Sequence, residues 1–188
     1  WGLNLTNQRS RGLTSLIQGF YNSSLNKMIR DTAAVYLRNS TAPYALTDSS
    51  FSVLDSTGKG NFYFNKAVNG TNYYLVIKHR NSLETWSNAL IKFSNDTLTY
   101  NFTADASKAF GSNLIKVNSS PDKYAIFGGD VNRDRTIDLT DVIQIYNSAA
   151  EFETGYSVND ITGDRTVDLS DILIAHNNSS AFVSVKRP

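Results

Sequence analysis

The stretch Asp130-Val-Asn-Arg-Asp-Arg-Thr-Ile-Asp-Leu-Thr-Asp141 recurs thirty residues later as Asp160-Ile-Thr-Gly-Asp-Arg-Thr-Val-Asp-Leu-Ser-Asp171. Each copy carries carboxylates at positions 1, 5, 9 and 12, with Asn132 or Thr162 at position 3. Hard cations such as Ca²⁺ take six to eight oxygen ligands from a compact loop. Oxygen side chains at positions 1, 3, 5, 9 and 12, with the carbonyl at 7, meet that demand. Position 8 is apolar in both copies (Ile137, Val167), which predicts that each loop is pinned to a core. Eight of the chain's seventeen acids lie in these two segments. A pair of acidic surface turns would not need to match in register.

The residues around the loops define the unit. Val-Ile-Gln-Ile-Tyr-Asn follows Asp141, and Ile-Leu-Ile-Ala-His-Asn follows Asp171. Both read as short helices with an apolar face, entered through Asp-Leu-Thr/Ser-Asp, which suits a helix start. An EF-hand needs a helix before the loop as well. Here Lys-Tyr-Ala-Ile-Phe-Gly-Gly and Thr-Gly-Tyr-Ser-Val-Asn precede the loops, and neither is helical in pattern. The unit is therefore loop then helix, used twice.

That pattern over residues 126–188 resembles a dockerin module, a duplicated calcium loop-helix that docks onto cohesin modules to anchor secreted proteins. The resemblance implies two Ca²⁺ ions. Its ligands would be Asp130, Asn132, Asp134, Thr136 (carbonyl), Asp138 and Asp141 in the first loop. In the second they would be Asp160, Thr162, Asp164, Thr166 (carbonyl), Asp168 and Asp171. It also implies a partner face at Leu139, Thr140, Leu169 and Ser170, with Tyr146 and His176 further along the helices. The alternative is that both leucines pack between the helices. Two features depart from the family pattern. Position 6, usually Gly, is Arg135 or Arg165, and a positive φ there is unfavourable by about 1 kcal/mol or more without Gly. Thr162 is a weaker ligand than Asn or Asp, so modest calcium affinity is expected. The basic pair that many dockerin helices carry is missing here.

Residues 12–125 read as β throughout, short Tyr, Phe, Val, Ile and Thr runs alternating with turn clusters. Strands are expected at 13–21, 32–38, 50–53, 60–64, 73–79, 90–93 and 97–102, with another at 114–117 or 124–127. That density suggests an antiparallel, immunoglobulin-like β-sandwich. The run Gly60–Arg80 is similar to the central hairpin of carboxypeptidase-regulatory-like domains. A sandwich followed by a dockerin-like module is similar to X-module–dockerin pairs. The expected fold class is thus mainly β with a small two-helix calcium-loop module. Residues 1–11 are either a linker or a pairing strand. The tail after the second helix turns strand-like, and Phe182 is expected to meet Tyr124 or Phe127, with Val183 or Val185 returning to the sandwich.

Charge divides the same way. Residues 1–125 carry +6 and residues 126–188 carry −5. The basic charges are dispersed, which argues against nucleic acid. No apolar run spans a bilayer, so no membrane insertion is expected. Without cysteine there are no disulfides or thiol chemistry. No Gly-x-Ser-x-Gly elbow or phosphate loop is present, the only histidines are His79 and His176, and most aspartates lie in the loops. The expectation is a non-enzyme. Loops of modest affinity fill where Ca²⁺ is plentiful, so a secreted, cell-surface setting is expected. The expected function is docking to a cohesin-like partner. Self-assembly into a calcium-stabilised filament or surface layer is the alternative, favoured if residues 1–11 form a free strand beside an open sheet edge. Sugar binding would need a row of exposed aromatics drawn from Trp86, Tyr73, Tyr74, Tyr63 and Tyr44.

Overall fold

The computed structural model describes residues 9–94 and 97–188. Thirteen strands precede two helices among these residues: β1 (Arg9–Thr14), β2 (Leu16–Ile17), β3 (Tyr21–Asn22), β4 (Lys27–Met28), β5 (Asp31–Asn39), β6 (Leu46–Leu54), β7 (Lys59–Phe64), β8 (Asn72–His79), β9 (Ser82–Trp86), β10 (Ile91–Lys92), β11 (Thr97–Asn101), β12 (Ile115–Ser119) and β13 (Asp122–Ile126). The helices are α1 (Leu139–Ala150) and α2 (Leu169–Ser180). The protein is mainly β, a sandwich of chiefly antiparallel sheets followed by a small helical module.

The largest sheet runs β10-β8-β5-β6, with β9 also on β8. Its alternation places Val35, Leu37, Leu75 and Ile77 in one core with Leu13, Phe62 and Phe64 of the other strands and Phe102 just after β11. The expected strand over 13–21 is broken into three pieces. Ser15 donates its backbone N–H to Gly58 O, which ends β1, and the chain then pairs elsewhere. Two pairings are parallel, β1 with β11 and β2 with β13. β9 was not expected, because Ser-Leu-Glu-Thr-Trp shows no alternation. All five of its residues are buried, and the Lys78–Glu84 ion pair at 2.5 Å and Trp86 Nε1–H on Glu84 satisfy its carboxylate. β1 begins at Arg9 and lies between β7 and β11. The part of the 1–11 segment before Arg9 falls outside the described residues.

The module bearing the loops packs on one end of the sandwich through a network of charged and aromatic groups. Arg80 Nε–H donates to Asp31 Oδ2 at 2.9 Å, and its Nη2 reaches Asp160 Oδ2 at 3.4 Å. The guanidinium lies between the rings of Tyr156 (4.3 Å) and Phe20 (5.3 Å). Tyr156 O–H donates to Asp31 Oδ1, and the His79 ring Nε2 lies 3.1 Å from Asp31 Oδ2. Asn81 Nδ2 donates to Asp160 O at 2.7 Å, and Asn178 Nδ2 to Gln18 Oε1 and Gly128 O. Burial alone would raise the Asp31 carboxyl. Hydrogen bonds from His79, Tyr156 and Arg80 overcome it and hold the group well below the usual carboxylate range. Burial pushes the His79 imidazole down, against the pull of Asp31.

Two glycines permit this closeness. Gly19 has φ +88°, and a Cβ there would lie 2.4 Å from Ile161 O. Gly163 has φ +77°, and a Cβ there would enter the Phe20 ring at 2.6 Å.

The junction makes two measurable demands. Gly19→Ala is expected to cost roughly 2 kcal/mol or more in urea unfolding, from backbone strain plus a clash the neighbouring backbone cannot relieve. Asp31→Asn is expected to cost roughly 3 kcal/mol near neutral pH, because it strips Arg80 of its nearest partner. The depressed folded-state carboxyl means that the wild-type advantage is fully present above Asp31's ordinary 3.8 and is lost as pH falls toward the folded value. A deficit that does not change with acid would contradict the assignment.

Candidate calcium loops and the outward helix face

Each helix starts from the last residues of its loop, and the same acid serves both. Asp138 caps α1 by accepting from Thr140 N, while Asp141 accepts from Asp138 N, closing a capping box. Asp168 and Asp171 repeat this at α2. Asp141 also gathers the start of its loop, accepting from Val131 N at 2.9 Å and Asn132 N at 3.1 Å. Asp171 does the same for Ile161 N (2.7 Å) and Thr162 N (2.8 Å). Side chains at positions 3, 5 and 9 turn the backbone in steps: Asn132 accepts from Asp134 N, Asp134 from Thr136 N, and Asp138 from Thr140 N. In loop two Asp164 accepts from Thr166 N.

Position 6 keeps its left-handed backbone without glycine: φ is 81° at Arg135 and 74° at Arg165. The apolar position 8 is buried in both loops. Ile137 packs with Leu83 and Val183, and Val167 with Val131, Ile145, Ile161 and Ala175.

The repeat extends past the helices and crosses over. After α1, Val167 N donates to Glu153 O and Gly155 N to Arg165 O, so this segment borders loop two. After α2, Ile137 N donates to Val183 O and Val185 N to Arg135 O, so the tail borders loop one. The tail does return to the sandwich, where Phe127 packs with Val183 and Val185. Phe182, expected to be clasped there, is instead 87% exposed.

The two loops differ electrostatically. Asp130 is 3% exposed, and its Oδ1 has no hydrogen-bond partner. Burial and the charge of Asp141 push its carboxyl up to about 7, against hydrogen bonds from the Arg135 and Arg133 backbone. Burial likewise raises Asp141 and Asp171, while Thr140 lowers Asp138. Asp160 is well partnered: Gly163 N donates to Oδ1 at 2.7 Å, and Arg165 N and Arg80 to Oδ2. Among the described residues no three acidic or histidine side chains converge as a formed metal cluster would. The position-12 oxygens face backbone N–H groups, and Asn132 Nδ2 donates to Asp134.

The helices meet through Val142, Ile145, Ala149, Ile172 and Ala175. Leu139 and Leu169 are not between them, being 66% and 74% exposed. Thr140, Ser170, Tyr146 and His176 are also exposed. Sequence reasoning passed over Ile143 and Leu173, one turn after each leucine, and Phe152 after α1, whose counterpart after α2 is Phe182. All four are exposed. The thirty-residue spacing that paired the loops also pairs these residues. Exposed side chains at i, i+4 and i+7 thus form one stripe on each helix.

Of the five aromatics considered for sugar, only Tyr63 is exposed. Trp86 and Tyr73 are buried. Tyr44 and Tyr74 pack on Trp86, with the Arg38 guanidinium 5.6 Å from its ring centre. No helix among the described residues is long and apolar enough to cross a membrane.

No protein-family model and no curated protein matches the chain. Among solved structures it is similar to a chain of a mutant type II cohesin–X-dockerin complex from Acetivibrio cellulolyticus, at 16% identity and a TM-score of 0.49, covering 93% of this chain and 97% of that one.

Proposed function

We propose that the chain is a non-catalytic, calcium-dependent docking module of an extracellular protein, which presents the outward faces of α1 and α2 to a cohesin-like partner. The observation that carries this reading is the paired stripe, Leu139-Ile143-Tyr146 and Leu169-Leu173-His176, standing in solvent on two helices that start from equivalent acidic loops. Exposed apolar side chains in register on two elements are what a partner's surface would cover.

The loop side chains are the oxygen donors a hard cation takes, and a bound ion would have to draw them together. Asp130 Oδ1 is buried and unpartnered, a costly state for a carboxylate that a bound cation relieves. Asn132, Asp134, Asp138, Asp141 and the Thr136 carbonyl would complete the first loop, and the second would draw on Asp160, Thr162, Asp164, the Thr166 carbonyl, Asp168 and Asp171. Ca²⁺ would supply only charge and coordination. The chain's own part is to cap each helix from its loop, so that loop order becomes helix order. The filament alternative is less well supported, because β1 lies inside its sheet from Arg9 onward.

With excess Ca²⁺ the purified chain should stay monomeric by light scattering and should bind an immobilised type II cohesin, with release by chelator. Paired Leu139→Asp and Leu169→Asp changes should weaken that binding at least tenfold, roughly the loss of one interface anchor or more, while leaving circular dichroism intact. Calcium-driven growth into long particles would point to copies of itself as the partner. Indifference to calcium in scattering, dichroism and binding would end the reading.

A further inference from the structure

We propose that the hollow between the outer face of the largest sheet and Arg133 of loop one is a carboxylate-binding site, and that its occupant is an acidic side chain of a second protein, carried beside an apolar residue. The inference goes beyond the docking reading above and uses neither the helix stripe nor a bound ion.

The hollow starts from an alanine. Ala33 and Val35 enter the core, so Ala34 faces outward from β5. It stands opposite Phe51 of β6 and Lys78 of β8, with Thr32 and Tyr36 on either side along its strand. All four neighbours are larger. The short side chain leaves a cavity of about 290 Å³, which Arg80, Arg133 and Tyr156 also line.

The lining is apolar and cationic. Phe51 is 68% exposed on this face. Lys78, Arg80 and Arg133 bring positive charge, and no carboxylate lines the cavity. Two of these charges are answered, Lys78 by Glu84 and Arg80 by Asp31 and Asp160. Arg133 is not. Its Nε–H donates to the Arg80 carbonyl at 3.1 Å, which fixes the guanidinium. Among the described residues it forms no ion pair, and neither Nη has an acceptor. Arg80 Nη1 lacks one as well. Donors thus exceed acceptors where the two halves meet.

The backbone does not call for arginine at this position. Arg133 has φ 64°, a region unfavourable for any residue with a side chain. Gly163 holds the equivalent place in loop two at φ +77°. Glycine would meet the same demand without strain, so what arginine adds is its guanidinium. A free guanidinium takes a carboxylate through two parallel hydrogen bonds. Ala34, Phe51 and Tyr36 offer carbon for the stem and for an apolar neighbour. A sugar acid fits less well, because its hydroxyls need acceptors and the Tyr156 hydroxyl is already spent on Asp31. The charge of +6 over residues 1–125 also favours an acidic partner.

NMR titration of the isotope-labelled full chain with a capped Leu-Glu dipeptide tests this. The Ala34 methyl and Arg133 Nε–H signals should shift together and saturate at roughly millimolar ligand, the scale for one charge-assisted pair with little apolar burial. The capped Leu-Gln dipeptide should give no saturable shift. Arg133→Gly suits the backbone and should weaken binding at least tenfold, roughly the loss of one charge-assisted contact. Ala34→Leu fills the hollow and should abolish binding. If Ala34→Leu does not fold by circular dichroism, Arg133→Gly decides alone. Equal shifts from the glutamine peptide, unchanged affinity in Arg133→Gly, or no saturation at the hollow would each overturn the proposal. Tighter binding of galacturonate or inorganic phosphate than of the dipeptide would overturn it too, and would give the hollow to a sugar acid or a phosphate. None of these outcomes bears on calcium or on the helix face.

Discussion

The buried guanidinium of Arg80 is the charged centre of the contact between the two halves of the molecule. Arg80 leaves the end of β8, is clamped by Phe20 and Tyr156, and divides its donors between Asp31 on the sandwich and Asp160 on the second loop. A buried charge is tolerated only with partners in good geometry. Arg80 and Asp31 both belong to the sandwich and keep each other on separation, whereas Asp160 would lose the guanidinium and Asp31 would lose the Tyr156 hydroxyl. The contact surface therefore resists sliding as well as opening, which apolar packing alone would not ensure. Gly19 and Gly163 serve the same end by removing side-chain bulk where the backbones meet.

Duplication supplied two similar loops, and their surroundings made them unlike. The internal wiring is shared: position 12 gathers the loop start, position 9 caps the helix, and position 8 enters a core. The difference comes from one side of each loop. Loop two meets the sandwich through Asp160 on Arg80 and Asn81, and loop one through Ile137 on Leu83 and Arg133 Nε on the Arg80 carbonyl. Local sequence thus sets the loop's shape, while tertiary contact sets how much charge remains to be balanced.

Much of this was legible in the chain. Carboxylates in a fixed twelve-residue register constrain the backbone, so the turn-then-helix course of Asp130–Asp141 and Asp160–Asp171 could be read without a structure. Strands β5, β7 and β8 carried clear alternation and were placed closely. β9 was not, because burial on both faces erases alternation and Glu84 reads as exposed until Lys78 and Trp86 are seen beside it. The parallel pairings of β1 and β2 were beyond reach for a similar reason: nothing in a strand's own residues names a distant neighbour. Arg80 and Phe20 were unreadable as junction residues, since their partners lie far along the chain. Phe182 misled, because a large aromatic in a tail suggests burial, yet its counterpart Phe152 is exposed in the same way.

The crossing of the segments after the helices has one more consequence. The strip behind α1 edges loop two, and the strip behind α2 edges loop one. A lone copy of the repeat would have a loop with no edge and an edge with no loop. It could complete itself only against another copy, each lending its trailing strip to the other. The pair of repeats, not the half, is therefore the smallest unit in which every loop has its edge.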